Sequence, residues 1–342
     1  MNKQAAASAI LVVGPSWVGD MVMAQALFMH LRERQPQAAI DVLAPGWSLP
    51  VIARMPEVRN GIELPFAHGE LNLAARRRLG IALRAAHYDQ AIVLPNSWKS
   101  ALVPFFARIP RRTGYRREFR HGLLNDLRLL DREQLGTTVQ QFVALAEDEA
   151  PAVAPKIPQP RLRIDPARGA QLRADLGLPQ GPAVALMPGA EYGPAKQWPA
   201  ESYGALAKLL AARGIHSWTF GSAKEKQLGE QIAYASEGAA ISLAGRTGLV
   251  DVIDLLGTCQ AAVSNDSGLM HVAAAVGTPL VAIYGSSSPT HTPPLSDAAQ
   301  ILYLGLSCSP CFARSCPLGH LNCLRGIAPQ MVLDKLQSAL TA

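Results

Sequence analysis

The apolar run at 9–13 (Ala-Ile-Leu-Val-Val) stops at Gly14-Pro15, and from Val18 apolar positions recur at helical spacing through Leu31. That pattern predicts a buried strand, a short loop and a helix. The same grammar continues with a strand at 40–43, a basic helix at 71–86 and a strand at 89–94. Strands alternating with helices in this way predict a parallel sheet covered by helices on both faces.

Between Glu149 and Arg163 the chain carries four prolines, Pro151, Pro155, Pro158 and Pro160. Proline removes backbone donors and favours extended conformations, so this stretch reads as a linker. Beyond it the pattern restarts, with strands at 183–187, 218–220, 260–264 and 280–284 and helices at 201–213, 224–235 and 267–276. Two doubly wound α/β halves are expected, 1–155 and 156–327, followed by a terminal helix within 328–342. Open parallel sheets bind ligands outside the carboxyl ends of their strands, so the loops after the strands are where chemistry is sought, and two facing domains would form a cleft.

A chain of 342 residues has room for two cores, and a composition of 49% hydrophobic and 17% charged residues argues against a disordered chain. The formal net charge of +6 is a weak pull toward anionic partners and points away from none. No run approaches the roughly 18 apolar residues of a membrane span, and Met1 to Ala9 lacks the apolar core of a signal peptide. A cytoplasmic protein with at most peripheral membrane contact is expected. Four of the five cysteines, Cys308, Cys311, Cys316 and Cys323, lie close together, which in that compartment favours metal or redox chemistry over a disulfide framework.

The loop Gly14-Pro-Ser-Trp-Val-Gly-Asp20 has the glycine gap of a phosphate-binding P-loop, but Asp20 and Met21 stand where Lys and Ser/Thr are required. A carboxylate there repels phosphate. An ionised Asp20 at a helix start suits acceptance of a proton from a substrate hydroxyl, with a simple helix cap as the alternative. In the second half, Asn265-Asp266-Ser267-Gly268-Leu-Met-His271 joins strand to helix. The backbone N–H groups of Ser267 and Gly268 would meet a diphosphate, with His271 one turn on and on the same side, and Asp266 suits a helix cap or sugar hydroxyls.

The loop Pro188-Gly-Ala-Glu191-Tyr-Gly-Pro-Ala-Lys196 offers a lysine to a departing diphosphate, unless Lys196 is merely solvated. In the first half, Asn96, Ser97 and Lys99 precede Arg111, Arg112, Arg116, Arg117 and Arg120, a set suited to a phosphate or carboxylate acceptor or, more plainly, to a solvated basic face. The cysteines read C-x2-C-x4-C, followed by His320 and Cys323, compatible with a tetrahedral structural zinc site, with free thiols or a redox-sensitive loop as alternatives.

Taken together, Gly14 to Met21, Leu94 to Phe106, Gly122 to Asp126, Pro188 to Lys196 and Asn265 to Ala274 resemble the ADP-heptose:lipopolysaccharide heptosyltransferases. That resemblance runs over nearly the whole chain and implies a GT-B architecture of two Rossmann-like domains, acceptor on the first and nucleotide sugar on the second, with the C-terminal helix 329–340 returning to the first. It further implies inverting, metal-independent transfer of L-glycero-D-manno-heptose from ADP-heptose onto the first heptose of a lipid A-Kdo-heptose acceptor. Asp20 would be the base, Lys196, Glu191, Asp266, Ser267, Gly268 and His271 would hold the donor, and Asn96, Ser97, Lys99, Arg116, Arg117 and Arg120 the acceptor. Transfer itself would need no cofactor, and nucleic acid is not an expected partner.

Competing readings are another nucleotide-sugar enzyme on the same fold, such as an epimerase or hydrolase, and a two-lobed solute-binding protein, which would normally be exported.

Overall fold

The computed structural model describes residues 8–66, 70–149 and 151–340. Most of the N-terminal stretch searched for a signal peptide, and Ala150 of the linker, lie outside the described residues. The chain divides into two compact units, Met1–Pro160 and Arg161–Ala342, with the division inside the proline-rich stretch.

In the first unit, β1 (Ala9–Val13), β2 (Ala39–Ala44), β3 (Asn60–Glu63), β4 (Gln90–Val93), β5 (Arg111–Tyr115) and β6 (Asp126–Arg128) form one sheet in the order β3-β2-β1-β4-β5-β6. Every pairing is parallel, and Val12 stands between Val42 and Ile92. The apolar runs take the centre because both faces there are covered: Leu11, Val13, Leu43, Ala91 and Val93 share a core with Val103, Ile109 and Leu124. On the helix Val18–Arg34, Met21, Val22, Ala24, Leu27, Phe28 and Leu31 are buried.

In the second unit, β7 (Ala183–Met187), β8 (His216–Thr219), β9 (Ala240–Ser242), β10 (Ala261–Asn265), β11 (Leu280–Tyr284) and β12 (Ala299–Tyr303) run β12-β11-β10-β7-β8-β9, again all parallel. Counted within each unit, the strand order is the same: the first and fourth strands are neighbours and successive strands step outward from them. The winding reverses there, between β1 and β4 and between β7 and β10, and in open parallel sheets ligands bind beside the strand ends at such a crossover.

The C-terminal helix Pro329–Leu340 corrects the expectation that it belongs with the first domain. Val332, Leu333 and Leu336 are buried in the second unit's core with Trp198, Tyr203 and Ile283. Three apolar residues at helical spacing need a cover, and the face of β10 and β11 beside the helix Ala200–Ala211 supplies it.

Candidate active site

In the second unit the β7 and β10 loops flank the crossover point, and they carry the expected donor residues. β7 runs into Pro188 to Gly193 and a turn at Pro194–Lys196. Lys196 Nζ donates to Asp266 Oδ2 at 2.6 Å, with the lysine side chain 20% exposed and the aspartate 6%. The ammonium also lies 5.3 Å from the centre of the Tyr192 ring. Lys196 is therefore a positioned charge rather than a solvated one, and Asp266 is its counter-ion. The cap reading of Asp266 is corrected, because the N-cap of the helix Gly268–Val276 is Ser267. Ser267 makes no side-chain cap bond and its hydroxyl faces that of Ser264 at 3.3 Å, so the first backbone N–H groups of this helix are not closed by a capping side chain.

His271 is buried one turn along this helix. Burial pushes its pKa down to about 4, with Asp266 opposing and Lys196 adding to the shift. The imidazole is neutral at pH 7, able to donate one hydrogen bond and accept another. Glu191 sits apart from this group, exposed and 3.3 Å from the exposed Lys224.

The scaffold beneath rests on a residue to which the sequence reading gave no role. Asn265, fully buried at the end of β10, accepts at Oδ1 from Trp198 N at 3.0 Å and from the Tyr203 hydroxyl at 3.1 Å, and its Nδ2 donates to Pro188 O. One amide thus ties the β7 and β10 loops together. A polar residue closing a strand of small apolar residues is its only trace in the sequence. Tyr192, whose ring lies under Lys196, also went unassigned; an aromatic in a glycine-rich loop was its signal.

In the first unit the β1 and β4 loops flank the corresponding crossover. Asp20 is the third residue of the helix Val18–Arg34, partly exposed, and the only acidic group of its first turn. The N-cap is Trp17, so Asp20 is not the cap residue. Its place in the first turn sets the carboxylate where the helix dipole favours negative charge. The indole of Trp47, from the β2 loop, donates to Ser16 O at 2.9 Å and so braces the segment leading into this helix.

The β4 loop presents Asn96 and Trp98 as exposed and Ser97 and Lys99 as half-buried, and Trp98 N donates to Glu118 Oε2 at 3.0 Å. Arg116 and Arg117 are exposed just after β5. Arg120 corrects its assignment to acceptor contact: it is fully buried, with Nη1 donating to Pro95 O at 2.7 Å and Nη2 to Tyr115 O. Its guanidinium is occupied in joining the β4 and β5 loops. Arg111 and Arg112 are half-buried and already engaged, Arg111 pairing with Asp126 and the exposed Asp148 and Arg112 donating to Leu123 O and Ile109 O.

Cys308, Cys311, Cys316 and Cys323 line a single cavity of about 20 Å³ with His320 and Ser286. All four are free thiols, and among the described residues no three His, Cys, Asp or Glu side chains already stand as a coordination set. The Cys316 thiol is held below its ordinary pKa by the backbone N–H of Leu321 and, against burial, by those of Leu318, Gly319 and His320. Burial and then the neighbouring Cys308, Cys316 and Cys311 push Cys323 up.

Residues 76–322 match the model of glycosyltransferase family 9 (heptosyltransferase). The chain is 48% identical to lipopolysaccharide heptosyltransferase 2 of Salmonella typhimurium, over 97% of this chain and 98% of the relative. It is 46% identical to the Escherichia coli protein of the same name, again over 97% and 98%. This chain belongs to glycosyltransferase family 9. The solved structure of E. coli ADP-heptose lipopolysaccharide heptosyltransferase II superposes on this heptosyltransferase-family chain with a TM-score of 0.88 at 45% identity, covering 97% of this chain and 98% of that one. E. coli heptosyltransferase WaaC with ADP shares the fold, at TM-score 0.70 and 20% identity over 97% and 99%. As in those structures, the architecture of this family 9 member is α/β and GT-B-like, with two parallel six-stranded sheets.

The second unit gathers fixed positive charge and backbone N–H donors at Lys196 and the start of the helix Gly268–Val276, groups able to stabilise an anion, and the first unit places the carboxylate of Asp20 at the start of a helix. Among the described residues no helix is long and apolar enough to cross a membrane.

Proposed function

We propose that the chain transfers L-glycero-D-manno-heptose from ADP-heptose onto the first heptose of the lipopolysaccharide inner core, on a lipid A-Kdo-heptose acceptor, with inversion and without a metal in the transfer step. The observation that carries this reading is the part-buried Lys196–Asp266 pair beside the start of the helix Gly268–Val276, which no side chain caps. Such a pair holds an ammonium where a diphosphate oxygen meets it together with backbone N–H groups, and a charge fixed before the reaction needs no reorganisation as the leaving group departs. The names of the full-length relatives, which specify lipopolysaccharide and heptose, support the same substrates.

On this reading Asp20 removes the proton from the acceptor hydroxyl as that oxygen attacks the anomeric carbon from the face opposite ADP, which inverts the centre. ADP leaves with its new charge on Lys196 and the N–H groups of Ser267 and Gly268. His271, neutral, donates or accepts a hydrogen bond at the same end of the helix. Asn96, Ser97, Lys99, Arg116 and Arg117 receive the anionic acceptor, and the net charge of +6 favours work at the cytoplasmic face of an anionic membrane.

The test is a matrix of nucleotide sugars against truncated lipopolysaccharide acceptors, scored for nucleotide release and for the stereochemistry of the product. ADP should appear only when ADP-heptose and a heptose-bearing acceptor are both present. Release without acceptor would indicate a hydrolase or epimerase and overturn the reading.

A further inference from the structure

The cysteine-bearing segment is unused by the transfer chemistry, yet it is built against the donor loop. Phe312 N donates to Ser286 O at 2.7 Å, just beyond β11, and the Tyr192 hydroxyl donates to Phe312 O at 2.8 Å. Ala195 N donates to Arg314 O at 3.0 Å, and the Arg314 guanidinium lies 5.3 Å from the centre of the Tyr192 ring. The approach is close enough that a Cβ on Gly193 would lie 2.5 Å from Arg314 O. The loop that carries Lys196 is thus seated on residues 312–314, between Cys311 and Cys316.

Three observations converge on the cavity these cysteines line. Its volume of about 20 Å³ suits a single small occupant, since one water needs roughly 10–15 Å³. The buried hydroxyl of Ser286, which lines it, has no hydrogen-bond partner. All four cysteines are free thiols, and the His320 side chain lines the same cavity. Four thiols around a space of this size suit a soft divalent ion that takes tetrahedral sulfur.

We propose that Cys308, Cys311, Cys316 and Cys323 bind one soft divalent metal ion, zinc in the first instance, which staples the segment 308–323 and so buttresses the donor loop around Lys196. Binding releases the thiol protons to solvent as the four sulfurs close on the ion. The ion has no part in the transfer step. Its contribution is to hold Phe312 and Arg314 against Tyr192, Gly193 and Ala195.

The full chain, purified under reducing conditions without added metal, should carry one zinc ion by elemental mass spectrometry. After chelator treatment, titration with Co²⁺ alone should saturate at one equivalent with sulfur-to-cobalt charge-transfer bands and the intense visible bands of tetrahedral thiolate ligation. Cys311→Ser, at an exposed position, and Cys316→Ser should each bind Co²⁺ more weakly and lose about a quarter of the charge-transfer intensity. Substoichiometric metal together with a cobalt spectrum lacking thiolate bands would overturn the site, whatever the donor proves to be. The buttressing role rests on the donor reading: metal-stripped protein should bind ADP severalfold more weakly and regain affinity with Zn²⁺. ADP binding that is tight and unchanged by stripping would overturn that role and leave the donor reading intact, whereas no ADP binding in either form would count against the donor reading.

Discussion

The loops at the two crossover points are built differently. Beside β7 and β10 the charged groups are internal and already paired: Lys196 to Asp266, His271 buried and neutral, and Asn265 tying both loops together. Beside β1 and β4 only the anchor is buried, because Arg120 fastens the loops from within while Arg116, Arg117, Asn96 and Trp98 face solvent. On the proposed reading, the departing diphosphate meets charges fixed in advance, which need no reorientation. A large acceptor would meet exposed groups whose contacts form on binding.

The largest effect is expected where the exposed side takes part in chemistry. Asp20→Asn should lower kcat by roughly 10²–10⁴-fold with ADP affinity unchanged, measured by steady-state kinetics and calorimetry, and near-normal turnover would remove Asp20 as the base. Lys196→Met should leave Asp266 buried and unpaired, costing about 3–5 kcal/mol by denaturant unfolding. Adding Asp266→Asn should recover much of that stability without recovering ADP binding, which separates the lysine's place in the fold from its place at the donor. If the double variant bound ADP normally, the fixed-charge account of this side would fail.

Arg120→Met tests the buried anchor. It should cost about 2–4 kcal/mol by leaving Pro95 O and Tyr115 O without their donor, and acceptor KM should worsen only as the loops loosen.

The pH dependence of stability carries the mark of His271. Its native pKa of about 4 lies below the unfolded value of 6.5, so between those values the unfolded chain binds the extra proton. The histidine therefore favours unfolding progressively as pH falls from 6.5, with no further loss below about 4. Between pH 6 and 5 this amounts to about 1 kcal/mol. His271→Gln should remove that increment from the difference between variant and parent curves, and identical slopes would show that the ring is not held neutral.

The smallest stability change belongs to Arg116→Ala with Arg117→Ala, within about 0.5 kcal/mol of the parent. Acceptor KM should rise and its salt dependence flatten, because exposed cations act through screened attraction. A marked loss of stability in this pair would erase the contrast between the two sides.

Much of the fold was legible because a central parallel strand is buried on both faces and must be apolar throughout, as at 9–13, 183–187 and 280–284. Edge strands such as Asp126–Arg128 and Asn60–Glu63 are short and polar, and no periodicity marks them. The candidate loops were legible too, since Gly-Pro and Asn-Asp-Ser-Gly interrupt the pattern where strands end. What the charged residues in those loops do was not. Arg116, Arg117 and Arg120 look alike in sequence, and only the path of the chain after β5 turns the third inward onto two carbonyls.

The sequence by itself determined the alternation of elements, the break near the prolines, the loops that carry chemistry and the family resemblance, because each depends on residues near one another in the chain or on ordered motifs. The tertiary structure alone decided the strand order that brings β7 beside β10, the pairing of Lys196 with Asp266 across 70 positions, the desolvation that keeps His271 neutral, and the packing of the C-terminal helix within the second unit. Local spacing fixes which face a side chain occupies, whereas burial and long-range partners arise only when distant segments pack, and charges and pKa values answer to those partners.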